Sequence, residues 1–428
     1  MPDSTPNAVH IDDLANPRFD PDTAAMIEAA APMGEAIELT AEALMTQAAA
    51  TVGLDDFGDP SFLEPLGVLL ESLRTEAPLS GFGRITVAVQ IDQLLRNRLL
   101  LTDLLRQHPE IHDIEIQRPI IIAGLPRTGT THLQNLISTD PAIRSLPYWE
   151  SIEPFPAPGD EIATSSSSGS IDPRITRCDG NLSVLDQALP YFPRMFDIGT
   201  HHAHEEINLL AMDFSTMYFD TLAPMPTWRE HYLADDQTPH YEYLRTVLKA
   251  LQFLRGGNRW VLKSPQHLEQ FPTLARTFPD ATFIVTHRDP ASVVASMATM
   301  IAYTARMHLD PVDPVAIGHF WAELLSTMLN TCLDTRDRLP VDRSIDVRFD
   351  QFMADDLGTV ERIYDIADQP FDDSARAAIA AYLADHQRNR HGALIYDLAD
   401  FDLDADGIRA GLSDYIDRFQ IPLEPVGR

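Results

Sequence analysis

The chain has 428 residues, enough for two or three ordinary domains or for one α/β enzyme with helical elaborations, so core size is no constraint. With 64 Asp and Glu against 32 Lys and Arg, a formal net charge of -32 describes a surface that repels nucleic acid and anionic membranes, which excludes general nucleic-acid binding. Two cysteines, Cys178 and Cys332, have no metal-ligand spacing and cannot build a disulfide framework. No apolar run reaches the ~20 residues of a membrane span. The start, Met1 to Asn16, carries acids with no Arg or Lys ahead of an apolar stretch, so a cytoplasmic location without a secretory leader is expected.

Residues 1–35 are rich in Pro and Asp without sustained periodicity and read as an irregular arm. Apolar positions then recur at three and four residues over 34–52, 61–75 and 81–108, which predicts three amphipathic helices, a helical N-terminal extension over 1–115. From 116 to 428 the pattern changes. The run Ile120-Ile-Ile-Ala-Gly124 predicts a buried strand, Leu125 to Gly129 a loop, and Thr130 to Thr139 a helix. Ile143 to Leu146 reads as a second short strand.

An insertion at about 151–235 follows. Its Pro154-Phe-Pro-Ala-Pro-Gly159 and Ser165-Ser-Ser-Ser-Gly-Ser170 stretches predict an exposed, partly mobile segment. Tyr191, Phe192, Phe196, Phe214, Tyr218, Phe219, Trp228 and Tyr232 then cluster, either as packing between short helices or as the lining of an apolar acceptor site. Further on, helices are predicted at 238–254, 291–307, 315–338, 358–367, 374–388 and 407–419, and strands at 260–263, 281–286 and 345–348. Ser264-Pro265 is suited to start a helix as cap and first turn. Strands alternating with helices predict a parallel sheet covered on both faces, with loops 124–131, 263–267 and 287–296 gathered at the strand C-termini, where ligands bind in such sheets.

The first of these loops nearly fits the Walker A pattern, since Gly124 and Gly129 are five apart. Walker A, however, requires Lys directly after the second Gly, and Thr130 stands there, with the cation Arg127 two residues before Gly129. An ordinary NTPase is disfavoured. A backbone loop at a helix N-terminus still predicts an anion.

These residues resemble the sulfotransferases that use 3′-phosphoadenosine-5′-phosphosulfate. Pro126-Arg-Thr-Gly-Thr-Thr131 resembles the family's phosphosulfate loop, and Arg288 with Ser296 has the spacing of its 3′-phosphate motif. Eight residues are about two helical turns, so both side chains can reach one side of a helix. Trp260-Val-Leu-Lys-Ser-Pro-Gln-His267 and Arg388-Asn-Arg-His-Gly392 resemble the bacterial branch, and the resemblance covers roughly 118–420.

It implies a P-loop-type α/β fold, a parallel sheet flanked by helices. The implied donor residues are Gly124, Pro126, Arg127, Thr128, Gly129, Thr130, Thr131, His132, Arg288, Ser296, Arg390, His391 and Gly392. The chain departs from the cytosolic eukaryotic branch in carrying Arg127 for Lys, His132 for the adenine-stacking Trp, and Pro265 where that branch has its catalytic His.

Sulfuryl transfer requires in-line positioning and stabilised charge on the leaving oxygen, work that cationic side chains perform without a metal. Arg127 and Lys263 are the candidates for that charge. Glu150, 23 residues after Arg127, resembles by position the catalytic Glu of the carbohydrate sulfotransferases; it and His267 are the first candidates for the base, with Glu205 or Glu206 as others. His201-His-Ala-His-Glu-Glu206 looks like a metal box but lacks a further ligand set, so no metal is expected. The expected activity is sulfuryl transfer to a hydroxyl of a small alcohol, phenol or glycolipid, releasing adenosine 3′,5′-bisphosphate. A nucleotide kinase or NTPase, and a non-catalytic nucleotide-binding module, are the alternatives.

Overall fold

Five consecutive fully buried residues, Ile120–Gly124, form the strand around which the molecule is built. The computed structural model describes residues 8–160, 171–386 and 391–426; the Ser-rich run 165–170 and Arg388 to Arg390 lie outside them. In chain order the strands are β1 (Val9–His10), β2 (Ile120–Gly124), β3 (Ile143–Arg144), β4 (Arg259–Ser264), β5 (Thr282–His287), β6 (Ser344–Arg348) and β7 (Leu394–Ile395). All pairings between these strands are parallel, and the main sheet has the order β3-β4-β2-β5-β6. The predicted α/β architecture is the observed one.

Period-two alternation along a strand sends neighbouring side chains to opposite faces. On one face Ile121 and Ala123 of β2, Trp260 and Leu262 of β4, and Phe283 and Val285 of β5 join a large core with helices Gly81–Gln107, Thr238–Arg255, Pro290–Ala305 and Pro314–Thr335. On the other, Ile120, Ile122, Val261 and Ile284 pack with helices Thr130–Ser138, Asp356–Ala367 and Asp373–Asp385. Strands buried on both sides are the expected partners of parallel crossovers.

Three local expectations are corrected. The arm over 1–35 contains a helix, Pro21–Glu35, started by Asp20, whose carboxylate accepts from the Asp22 and Thr23 amides with Pro21 in the first turn. The predicted helix over 407–419 is two short ones, Ala405–Gly411 and Ser413–Phe419. After β4 the chain does turn helical, as a 3-10 segment Pro265–Glu269, but Ser264 makes no cap hydrogen bond. β1 pairs with β7, tying the arm to the tail. Among the described residues no helix is long and apolar enough to cross a membrane.

Candidate functional site

The β2 loop can form because two positions tolerate what others cannot. Register places Gly124 level with Thr286 of β5, and a Cβ on Gly124 would stand 1.8 Å from the Thr286 hydroxyl. That space is used by Thr128, whose hydroxyl lies 2.7 Å from Thr286 Oγ1 and donates to the Leu125 carbonyl at 2.6 Å. Gly129 then takes φ +85°, and Arg127 takes φ +69°, a left-handed value that costs a non-glycine residue about 1 kcal/mol or more. Helix Thr130–Ser138 starts directly behind, so its first amides and positive dipole end face the loop.

Side chains from three strand ends meet there. Arg127 donates from Nε to Ser296 Oγ at 3.0 Å and from Nη1 to the Met195 carbonyl. Burial lowers its pKa; nearby Tyr396 opposes this and Arg288 adds to it. Arg288, just past β5, donates from Nη1 to the Arg127 carbonyl at 2.6 Å and lies 4.0 Å from the Phe349 ring centre. Its other two nitrogens hold the Glu424 carboxylate at 2.8 and 2.7 Å.

Around them is a cavity of about 580 Å³. Arg127, Gly129, Thr130, Thr131 and His132 line it from the loop side. Arg288 and Ser296 line it from β5 and the next helix, and His391 and Gly392 from the tail. His132 also pairs with Asp356 at 3.2 Å. Of the other donor candidates, Gly124 and Thr128 pack against Thr286 rather than line this cavity, Pro126 lines the second one, and Arg390 lies outside the described residues.

A second cavity, about 440 Å³, adjoins the loop from the other side. Its walls are mainly apolar, including Leu189, Phe192, Met217, Met297, Met300 and Trp321. Arg127, Thr130, Thr131 and Phe196 belong to both cavities. The aromatic insertion therefore divides. Phe192, Phe196 and Tyr218 line the apolar cavity, while Phe214, Phe219, Trp228 and Tyr232 are fully buried packing.

The four candidate bases separate by geometry. Glu150 is wholly buried, lines neither cavity, and is held by Arg144 at 2.6 Å and Arg255 at 3.1 Å. Both ring nitrogens of His267 are engaged, by Glu206 at 2.6 Å and the Tyr241 hydroxyl at 2.9 Å. Glu206 also accepts the Lys263 amide at 2.7 Å, so it braces the end of β4. Glu205 alone of the four lines the apolar cavity. Its carboxylate pairs with the Lys263 ammonium, which is also 3.4 Å from Thr131 Oγ1.

His204, beside it, has its pKa depressed to about 3 by burial and by the charge of Lys263, so its imidazole is neutral at ordinary pH. Among the described residues no group of three or more His, Cys, Asp or Glu is arranged to hold a metal.

Sequence reasoning missed Ser292, Phe349 and Glu424 in the first cavity and the methionines of the second. Ser292, one turn before Ser296, was reachable from helical spacing. Glu424, a single acid in an irregular tail, carried no signal.

The family model described as the sulfotransferase family matches residues 119–373. The curated omega-hydroxy-beta-dihydromenaquinone-9 sulfotransferase Stf3 of Mycobacterium bovis is 23% identical over 281 residues, 63% of this chain and 67% of that protein. Among solved structures, sulfotransferase STF9 from Mycobacterium avium aligns with a TM-score of 0.81 at 27% identity, covering 92% of this chain and 99% of that one. Sulfotransferase STF1 from Mycobacterium tuberculosis aligns at 0.76 with 28% identity, covering 87% and 98%. With the family model spanning more than half of its length, this chain belongs to the sulfotransferase family and is a sulfotransferase enzyme.

Proposed function

We propose that the protein moves a sulfuryl group from 3′-phosphoadenosine-5′-phosphosulfate to the hydroxyl of a small apolar acceptor. The observation that carries this reading is the meeting of a cationic, hydroxyl-lined cavity with an apolar one at Arg127, Thr130 and Thr131. The donor fits the first cavity chemically. Amides at a helix start and two arginines with Ser296 suit a ligand with anionic groups at both ends, and Arg288 already grips a carboxylate in the two-pronged way it would grip a phosphate. The apolar walls suit a hydrophobic alcohol, and the relative named for a hydroxylated menaquinone acceptor supports that class.

When bound, the donor supplies a sulfuryl group whose bond to the phosphate oxygen breaks as the acceptor oxygen bonds to sulfur, releasing adenosine 3′,5′-bisphosphate. Loop 124–131 would hold the phosphosulfate end and Arg288 with Ser296 the 3′-phosphate. Arg127 and Lys263 stabilise negative charge at the junction, and Glu205 takes the acceptor proton. Calorimetry tests the donor: the bisphosphate should bind without metal and far more tightly than ATP with magnesium, and equal affinities would sink the reading. Transfer of labelled sulfate to apolar alcohols tests the acceptor, with no product from any of them as the contrary result. Arg288→Ala should weaken the bisphosphate about tenfold or more and leave adenosine 5′-phosphate nearly unaffected.

A further inference from the structure

Helix Gly81–Gln107 precedes the segment that matches the family, yet its Thr86, Val87 and Gln90 form part of the apolar cavity wall. Most polar groups there are committed to the protein. The Thr221 hydroxyl donates to the Tyr218 carbonyl at 2.7 Å, Asn208 donates to Ser151 Oγ at 3.0 Å, and His308 Nε2 meets the Leu222 carbonyl at 2.6 Å. Gln90 and Tyr218 differ. The Gln90 amide donates to the Tyr218 hydroxyl, which leaves the tyrosine proton and Gln90 Oε1 without a protein partner among the described residues. A donor and an acceptor held side by side against an apolar cavity call for a polar guest. Neither element contributes a residue to the Arg127 junction, so this polar spot is separate from the transfer end.

On the sulfotransferase reading above, we propose that Gln90 and Tyr218 form a second anchor, one that selects apolar alcohols carrying a further carbonyl or hydroxyl remote from the hydroxyl that is sulfated. A site built to hydrogen-bond a group discriminates strongly against the analogue lacking it. The test compares primary alkanols from decanol to hexadecanol with analogues bearing a ketone one carbon from the far end. Wild-type kcat/KM should favour the ketone series by about tenfold or more, and Tyr218→Phe and Gln90→Leu should each bring the ratio near one. Bisphosphate binding, measured alongside, reports folding. A wild-type ratio near one, or a ratio unchanged in both variants, overturns the anchor. No transfer to either series overturns the apolar-acceptor reading itself.

A separate observation concerns the donor side. The two-pronged grip on Glu424 occupies the Arg288 edge assigned to the 3′-phosphate, and the tail is fixed in place: the Glu424 amide donates to Asp289 at 2.7 Å and its carbonyl accepts from Arg409 at 2.6 Å. We infer that Glu424 competes with the 3′-phosphate, so the C-terminal segment lowers donor affinity and must yield when donor binds. Calorimetry of Glu424→Gln should show the bisphosphate bound roughly tenfold more tightly and adenosine 5′-phosphate unchanged. Equal or weaker bisphosphate binding by the variant overturns the competition. Absence of bisphosphate binding by both proteins instead overturns the donor assignment.

Discussion

Glu205 lines the apolar cavity and pairs with Lys263, which itself lies beside Thr131 of the shared loop, and this pairing serves two requirements at once. The ammonium fixes the orientation of the carboxylate in the wall of the apolar cavity, and its contact with Thr131 holds that pairing beside the loop. Glu205→Gln should therefore lower kcat about a hundredfold while leaving the bisphosphate affinity within a factor of two. Glu150→Gln should do the reverse. It breaks the buried pairing with Arg144 and weakens the contact with the half-exposed Arg255, so thermal stability should fall, on the order of 3 kcal/mol, with kcat largely retained. A large kcat loss in the Glu150 variant would return the base to that position.

Asp220 offers a test through pH. Burial, outweighing the attraction of Arg229, pushes its carboxyl up to about 7, against 3.8 for the free group. Between those values the native state holds more protons than the unfolded chain, so this group's contribution to stability declines as pH rises through the window. Asp220→Asn should raise Tm at pH 8 and show a smaller gain at pH 5; a gain independent of pH would refute the assignment. The reach of sequence is plain at this scale. Arg127, Arg288 and Ser296 were readable because short spacings fix them relative to one loop and one helix. Which of Glu150 and Glu205 lines a cavity was not, since that depends on which carboxylate a long insertion turns toward the sheet edge.

Helix Pro290–Ala305 serves both cavities from different faces. Ser292, Ala295 and Ser296 border the first; Met297, Met300, Ile301 and Thr304 border the second. Spacings of three and four residues keep each set on one stripe, so a single rigid element fixes the first cavity against the second. Filling one stripe should spare the other. Met300→Trp is expected to reduce kcat/KM for apolar alcohols at least tenfold while bisphosphate affinity stays within twofold, as read by kinetics and calorimetry on one preparation. A matched loss of both would mean that the helix itself had moved. Elements of this kind were legible where an apolar period ran long. The boundaries failed where one local interaction decided them, as with the Asp20 cap that turns an Ala-rich, Pro-broken stretch into helix Pro21–Glu35.

At the scale of the molecule, the helical N-terminal extension over 1–115 contributes to the larger of the two buried clusters. Leu66, Leu69, Ile91, Leu95 and Leu99 from the extension belong to the same buried cluster as Ile121, Leu244 and Phe283. Arg98, nearly inaccessible, ties helix Gly81–Gln107 to Asp213 of the insertion at 2.6 Å. Burial of apolar side chains contributes roughly 1.5–3 kcal/mol each, so removing five such partners costs an amount comparable to a typical domain's whole stability margin of about 5–15 kcal/mol. We propose that extension and sheet unfold together.

The four tryptophans, Trp149, Trp228, Trp260 and Trp321, all lie beyond residue 115, so their fluorescence follows the larger part and the surfaces it shares with the extension, whereas far-UV circular dichroism reports helices throughout. The two melting curves should coincide, and excess bisphosphate should raise both midpoints equally. A fluorescence transition several degrees above the dichroism midpoint would show the extension melting on its own, and would also make a chain beginning at 116 a folded protein rather than the aggregate expected from its stripped core.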